Sequence, residues 1–467
     1  MQADCTSLEQ WMALMRWLRP RMASVQKLDL DLKASLRATR SRFDSRCEAA
    51  LCALADRLAA APKLHQLSVW WDVQRSSRGG SDGAAASLAA FPLQAALLLP
   101  TQSRTARRAQ RPLALALRDL ELSCEAGVVL CPQLSLLPCL EGLTLGPGWH
   151  HREESAGPVF VQPHNAAACL PRTLKTLCLN STKAAGSLAD LGPDLAAGLP
   201  SLRELLMPVF PLSDWGEGWQ TDVCRLLEAL LPLAGQLRKL ELPDTALPIQ
   251  VARFTALEEL VVPWAPTQDT EDTWDAITFN LGRLHSLDVC FLHTGNDYTL
   301  PMSLAALTEG LTSLRFLVLP PVQVSLPAGD YLRCLRHLTL GPMAALRITP
   351  LLPFMPDLEQ LAVSGLHEAE SISPVAHPRS LGSGDAALDA AAAAAAAIPL
   401  SCTAEQLAAA GQLAVALARH SRFQRLRLLP IKNHEDVRYT DAVACSLALR
   451  LSRLAPRVNV DVCFDEP

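Results

Sequence analysis

One hexapeptide pattern, Leu-x-x-Leu-x-Leu, recurs about thirteen times along this chain of 467 residues. Ten strong copies begin at Leu117, Leu140, Leu174, Leu202, Leu237, Leu257, Leu284, Leu314, Leu335 and Leu358. Met207, Val262, Val289 and Val363 replace the final leucine in four of them. Weaker copies lie at Val25/Leu28/Leu30, Leu64/Leu67/Val69 and Phe423/Leu426/Leu428. The last four positions alternate apolar and variable residues, which is the period of a β-strand. The fourth and sixth positions therefore face one side, and the third and fifth the other. One such strand cannot bury its own leucines. Stacked copies can, because they form a parallel sheet over a continuous core. A repeat of this kind predicts a solenoid, an architecture that generally binds partners rather than catalysing reactions.

Parallel strands need a crossover between them, commonly helical. The segment from Thr221 to Leu237 supplies one, with Val223, Leu226, Leu227, Leu230 and Leu231 on one face. Glu271–Leu284, Ser303–Leu314 and Glu48–Leu64 carry similar patterns. Successive strong motifs start 23, 34, 28, 35, 20, 27, 30, 21 and 23 residues apart. The connections are therefore expected to differ in length and type.

These motifs resemble the leucine-rich repeat superfamily. The resemblance covers residues 25 to about 430. It is nearest to the irregular repeats that follow F-box motifs in plant and algal proteins. The phrases before the motifs carry it: Leu-Pro-Ser-Leu-Arg-Glu-Leu at 199–205, Leu-Pro-Cys-Leu-Glu-Gly-Leu at 137–143 and Met-Pro-Asp-Leu-Glu-Gln-Leu at 355–361. No F-box is visible in residues 1–24. The resemblance implies an α/β leucine-rich repeat solenoid, with a curved parallel sheet inside and helices and loops outside. In one respect the chain departs from that pattern. Many such repeats carry Asn or Cys at the ninth position, whereas here it holds residues such as Glu125, Gly148, Thr182, Phe210 and Leu292. Proline often follows the motif instead, at Pro208, Pro243, Pro263 and Pro320 and in the pairs Gly146-Pro147 and Gly341-Pro342. Proline lacks an N–H, so strands are expected to stop short there.

Composition excludes some classes of function. The formal net charge is −5 and the sequence pI about 6.1. A general nucleic-acid binder would be basic, so none is expected. No stretch approaches the roughly 18 apolar residues of a membrane helix, and the start Met-Gln-Ala-Asp-Cys is unlike a secretory signal. The 14 cysteines form no C-x-x-C pair. Several, such as Cys178, Cys290 and Cys334, lie in or beside motifs where a small apolar residue fits. Reduced thiols and a cytoplasmic location are expected, with the nucleus as an alternative; the resemblance adds a ciliary axoneme as a further alternative.

Five regions are expected. Residues 1–75 form an N-terminal cap with two weak repeats, where Trp11, Leu14, Met15 and Leu18 cover the end of the stack in a helix stopped by Pro20. Residues 76–112 are a flexible insertion, 113–366 the repeat core, and 367–402 a linker rich in Pro, Gly and Ala. Residues 403–467 hold a last repeat and a cap. There Thr403-Ala-Glu-Gln406 opens a helix to His420, a second helix runs from Thr440 to Leu454, and Val458–Val462 form a strand.

No catalytic constellation emerges: G-x-G-x-x-G, P-loop, H-E-x-x-H and G-x-S-x-G patterns are all missing from the sequence. His150, His151, Glu153, Glu154 and His164 cluster in one Gly/Pro-rich loop, but their irregular spacing suits solvation better than ligands converging at about 2 Å. Arg104, Arg107, Arg108 and Arg111 read as a solvated linker. No enzyme activity and no cofactor are expected.

The variable positions are more informative. The fifth position carries Asp29, Glu121, Glu241 and Asp288 against one base, Arg427. The second carries Arg118, Lys175, Arg203, Arg238, Arg315 and Arg336 against three acids. A basic rim beside an acidic stripe would steer a partner, or simply join neighbouring strands by ion pairs. Phe316 and Val318, with Val261 and Leu206, would add an apolar patch, and Trp70 and Trp264 are possible aromatic anchors. The expectation is a non-catalytic scaffold, a monomeric solenoid or a subunit of a complex, that binds protein on its concave face. Its candidate contacts are Arg118, Glu121, Arg203, Arg238, Glu241, Asp288, Arg315, Phe316, Val318 and Arg336. Two narrower readings follow from the resemblance: the substrate-recognition part of a ubiquitin ligase, or a structural component of an assembly such as the axoneme.

Overall fold

A computed structural model describes residues 2–4, 8–21, 23–32, 61–71, 116–124, 128–130, 134–135, 137–146, 159–161, 170–180, 182–208, 219–242, 247–264, 271–291, 302–303, 310–319, 324–326, 328–366, 404–430 and 441–462. The chain forms two compact units, Met1–Ala256 and Leu257–Pro467. Both are built from parallel strands with helical connections, the α/β architecture of a repeat solenoid.

The first unit contains β1 (Gln2–Asp4), β2 (Lys27–Leu32), β3 (Gln66–Trp71), β4 (Asp119–Cys124), β5 (Val128–Leu130), β6 (Gly142–Leu145), β7 (Val159–Val161), β8 (Thr176–Leu179), β9 (Glu204–Leu206) and β10 (Lys239–Glu241). Its main sheet runs β1-β2-β3-β4-β6-β8-β9-β10, all parallel. The second unit contains β11 (Glu259–Trp264), β12 (Ser286–Phe291), β13 (Met302–Ser303), β14 (Phe316–Val318), β15 (Val324–Ser325), β16 (His337–Leu340), β17 (Gln360–Leu366), β18 (Arg425–Pro430) and β19 (Asn459–Val462). Its order is β11-β12-β14-β16-β17-β18-β19, again parallel. The pairs β5/β7 and β13/β15 form small separate sheets within their own units.

Register follows the motif. In the first unit the fourth-position leucines align as one row through Leu28, Leu67, Leu120, Leu143, Leu177, Leu205 and Leu240. In the second the row is Leu260, Leu287, Leu317, Leu338, Leu361, Leu426 and Val460. The leucines of both rows are buried. A one-residue slip would turn every one of them out of the core, so burial enforces the pairing.

Two recurrent main-chain features support this stack. The carbonyl of most second-position residues accepts two N–H groups from the next repeat. Arg118 and Asp119 donate to His65, Glu141 and Gly142 to Arg118, and Lys175 and Thr176 to Glu141. The same geometry recurs where Arg315 and Phe316 donate to His285, and Arg336 and His337 to Arg315. This carbonyl ladder ties neighbouring repeats together without asparagine side chains. Before the motif, a turn closes from the first-position N–H to the carbonyl three residues earlier: Leu202 to Leu199, Leu284 to Leu281, Leu314 to Leu311 and Leu358 to Met355. All four of those acceptor residues are fully buried. The Leu-Pro-x-Leu phrase is therefore a turn whose opening residue is itself part of the core.

Proline marks the short strands at five repeats, although β8 has four residues without one. β9, β10 and β14, each followed within two residues by Pro208, Pro243 or Pro320, have three residues. β6 and β16, followed by Gly-Pro, have four. β2, β3, β4 and β12, with no proline there, have six. Pro263 departs from this rule. It lies inside β11 opposite Cys290 rather than ending the strand. Gly146 follows β6 with φ of 112° and packs against the Asn180 backbone, a conformation and a closeness that favour glycine.

The connections differ in detail from expectation. The helix expected over 221–237 spans Trp219–Leu230 and then tightens into a 3₁₀ turn, Leu231–Leu233, at Pro232, which has no N–H to continue it. Glu271–Asn280 is helical and ends before Leu281. Ser303, expected to open a helix, instead pairs in β13 because Met302 and Ser303 find Val324 and Ser325. Residues 48–60, the 76–112 insertion and the 367–402 linker lie outside the described residues. The N-terminal helix spans Leu8–Leu18 and buries Leu18. The C-terminal helices span Ala404–Arg419 and Asp441–Leu454. A Cβ on Gly411 would run into the Arg450 side chain, so these helices approach closely there. Thr182–Ala189, Pro193–Gly198 and Pro342–Leu346 are further helices that the pattern did not single out.

Candidate recognition surface

On the sheet face away from the core, third- and fifth-position side chains form rows across the strands. In the first unit the fifth-position row runs Asp29, Ser68, Glu121, Thr144, Cys178, Leu206 and Glu241. All seven are partly exposed. The rows are joined by polar contacts between strands. Ser68 Oγ donates to Glu121 Oε2 at 2.7 Å, and Thr176 Oγ1 donates to Glu204 Oε2 at 3.0 Å.

The candidate contacts divide between the units. Arg118, Glu121, Arg203, Arg238 and Glu241 lie on the first, and Asp288, Arg315, Phe316, Val318 and Arg336 on the second. Several basic residues are already engaged. Arg203 Nη1 donates to the Leu202 carbonyl and Arg238 Nη1 to the Ala256 carbonyl, both at 3.2 Å. Lys175 pairs with Glu141 at 3.0 Å, and Arg336 lies 3.6 Å from Glu359. Part of the basic rim thus joins neighbouring repeats, as one of the two sequence readings anticipates. Exposed pairs of this kind contribute little to stability.

The apolar patch is interrupted. Register places Asp288 between Val261 and Val318, because the fifth position of β12 is aspartate. Leu206 belongs to the first unit. At the third position a different arrangement appears: the Phe316 and His337 rings stack with centroids 4.4 Å apart and planes within 2°. The sequence reading did not single out His337. The signal was nevertheless present, since Phe316 and His337 occupy the same motif position in adjacent repeats. Ala362, also at a fifth position, is buried rather than exposed. Trp70 and Trp264 lie in β3 and β11, and nothing is described of their side chains.

Three groups at this face have perturbed acidity: Cys178, Asp119 and Glu141. Burial chiefly, with nearby Glu241 and Glu121 adding to it, pushes the Cys178 thiol up to about 12 against the opposing Thr144 hydrogen bond. Cys178 also donates to Asn180 Oδ1. Cys334, expected in an apolar niche, is instead exposed in the turn before Leu335, as is Cys139 before Leu140. The thiolate is the reactive form. On brief exposure of the folded chain to a maleimide at neutral pH, Cys139 and Cys334 should be labelled and Cys178 should not; after denaturation all three should label. Peptide mass spectrometry reads the difference.

At β4 and β6, the Asp119 carboxyl is raised by partial burial and by the Glu141 charge, against Arg118. Glu141 is held below its usual range chiefly by its hydrogen bond to Lys175. A folded-state pKa raised above the unfolded value makes ionisation unfavourable to folding. The cost is present at neutral pH and disappears as pH falls through that raised value. Asp119→Asn is therefore expected to leave stability equal or slightly higher at neutral pH, and Glu141→Gln to lower it slightly. Urea unfolding of both variants checks the opposite signs.

Among the described residues no group of three or more His, Cys, Asp or Glu side chains could hold a metal ion, and no helix is long and apolar enough to cross a membrane. The His150–His164 cluster and Arg104–Arg111 lie outside the described residues.

The fold and this surface define an α/β repeat solenoid. No family model matches the chain. No curated protein matches it either. Among solved structures it is similar to a crystal structure of a Bacteroides fragilis protein, at 10% identity and a TM-score of 0.25. That match covers 79% of this chain and 69% of the other.

Proposed function

We propose that the chain is a non-catalytic recognition scaffold that binds a protein partner on the sheet face away from its core. The observation that supports this is a division of labour along each strand. Fourth and sixth positions hold almost only leucine or valine and are buried. Third and fifth positions change from repeat to repeat and stay largely open to solvent. A main-chain ladder holds these variable side chains in fixed register, so the face is preorganised. Preorganisation lowers the entropy lost on binding, and mixed charges on the face provide steering and specificity.

Two narrower forms of the proposal come from the resemblance to F-box-associated and algal leucine-rich repeats. One makes the chain the substrate-recognition part of a ubiquitin ligase, and recovery of a Skp-type adaptor with it would support that form. The other places it in a large assembly such as the ciliary axoneme, and its detection in purified axonemes by mass spectrometry would support that one. Affinity purification of the full chain with mass spectrometry tests the general proposal when it is repeated on a charge-swapped chain carrying Arg238→Glu and Glu241→Arg. The account expects the set of captured proteins to shrink or change. An identical set at equal yield would place recognition elsewhere.

A further inference from the structure

We infer that the second unit carries a docking spot for a short acidic protein segment with an aromatic residue at its centre, built on the Phe316–His337 stack. This rests on the protein-recognition reading above. Phe316 remains 40% exposed despite its stacking partner. An aromatic side chain held flat and open on a rigid strand is the kind of anchor on which interfaces concentrate their binding energy.

At the two motif positions beside it the formal charges are basic, Arg315 and Arg336, and the nearest acid on the face, Asp288 at the fifth position of β12, is itself engaged. Across β12, β14 and β16 the second position holds His285, Arg315 and Arg336, and the third holds Ser286, Phe316 and His337, with no acid in either row. Arg315 is exposed and makes no ion pair with any described residue. Arg336 has only the loose contact to Glu359. The cationic island ends on both sides, at Glu258 before β11 and at Glu359 before β17. It is three strands wide, about 10 Å between the outer two. One or two carboxylates fit that width. A polynucleotide carries a phosphate at every residue and would run onto the flanking glutamates. The complementary occupant is therefore a segment with aspartate or glutamate beside an aromatic side chain.

The test is selection of a random displayed-peptide library on the full chain, followed by affinity measurements with the selected peptides. The expected result is enrichment of peptides with Asp or Glu next to an aromatic residue. Their affinity should fall by about tenfold or more on Phe316→Ala. A loss of similar size is expected on Arg315→Glu, an exposed position that leaves the core intact, with an unchanged unfolding midpoint confirming the fold. Absence of enrichment, enrichment of basic peptides, or affinities indifferent to both substitutions would overturn the inference. A labelled dT oligonucleotide that binds and is lost on Phe316→Ala, with no acidic peptides selected, would overturn it in favour of a nucleic acid. Selected peptides that lose affinity only on Glu241→Arg would remove this docking spot and leave the recognition reading standing. A captured protein partner indifferent to Glu241→Arg, Arg315→Glu and Phe316→Ala alike would remove both.

Discussion

Leu205→Ala is expected to destabilise the first unit by about 3–4 kcal/mol, while Leu206→Ala one residue on should cost under about 1 kcal/mol. The two leucines sit side by side in β9 and differ only in the face they present. Leu205 is fully buried, aligned with Leu177 and Leu240 in the fourth-position row. Its truncation removes apolar burial and leaves a cavity that a close-packed stack cannot collapse around without disturbing the ladder. Leu206 aligns with Cys178 and Glu241 on the opposite face and is partly exposed. Repeats in a solenoid depend chiefly on their neighbours. Amide exchange in Leu205→Ala should therefore accelerate most in β8, β9 and β10. Urea unfolding gives the free energies and exchange gives the location. Equal costs for the two substitutions would mean that the assigned register is wrong.

Gly310→Ala is the second large effect, expected at about 3 kcal/mol of destabilisation. A Cβ at Gly310 would overlap the Thr278 carbonyl, a main-chain atom at the end of the Glu271–Asn280 helix. A flexible side chain could swing away; backbone cannot. Relief requires the helix end and the turn at Leu311 to separate, and Leu311, Ile277 and Leu281 beside them are all fully buried. Overpacking of this kind typically costs 1–3 kcal/mol and sometimes more. Gly235→Ala is the control, because nothing lies within 4 Å of its added Cβ. Thermal unfolding should separate the two variants clearly, with Gly310→Ala lower. Equal midpoints would mean that Gly310 does not pack on Thr278.

The sequence already contained the motif strands and their rows, because an alternation repeated many times leaves one register that buries every leucine; β1 carries no motif and was not legible. It also contained the strand lengths where proline follows the motif, Pro263 in β11 excepted. The weak copies at Val25, Leu64 and Phe423 supply β2, β3 and β18, paired like the strong ones. Other features depend on contacts that no local pattern encodes. β5, β7, β13 and β15 have two or three residues each, too few to show a period. The turn of the helix at Pro232 was readable from proline chemistry, yet the apolar face running on to Leu237 masks it. The Gly310–Thr278 contact joins the end of the Glu271–Asn280 helix to the turn before Leu314 in the next repeat, and only packing reveals it. On the candidate surface, charge rows could be read off the motif. Their partners, such as Ser68 with Glu121 and Phe316 with His337, appear only once repeats are laid side by side.

The central claim is that the face away from the core, rather than the outer connections, meets the partner. Hydroxyl-radical footprinting of the full chain, alone and with a protein captured by it, measures this directly. Each unit offers reporters on both sides: Leu206 on the sheet and Ile249 on a connection of the first, and Phe316 and His337 on the sheet and Phe279 and Phe354 on connections of the second. The account predicts protection of sheet-face reporters on binding, with Ile249, Phe279 and Phe354 oxidised as before. Protection of those three with the sheet face unchanged would contradict it.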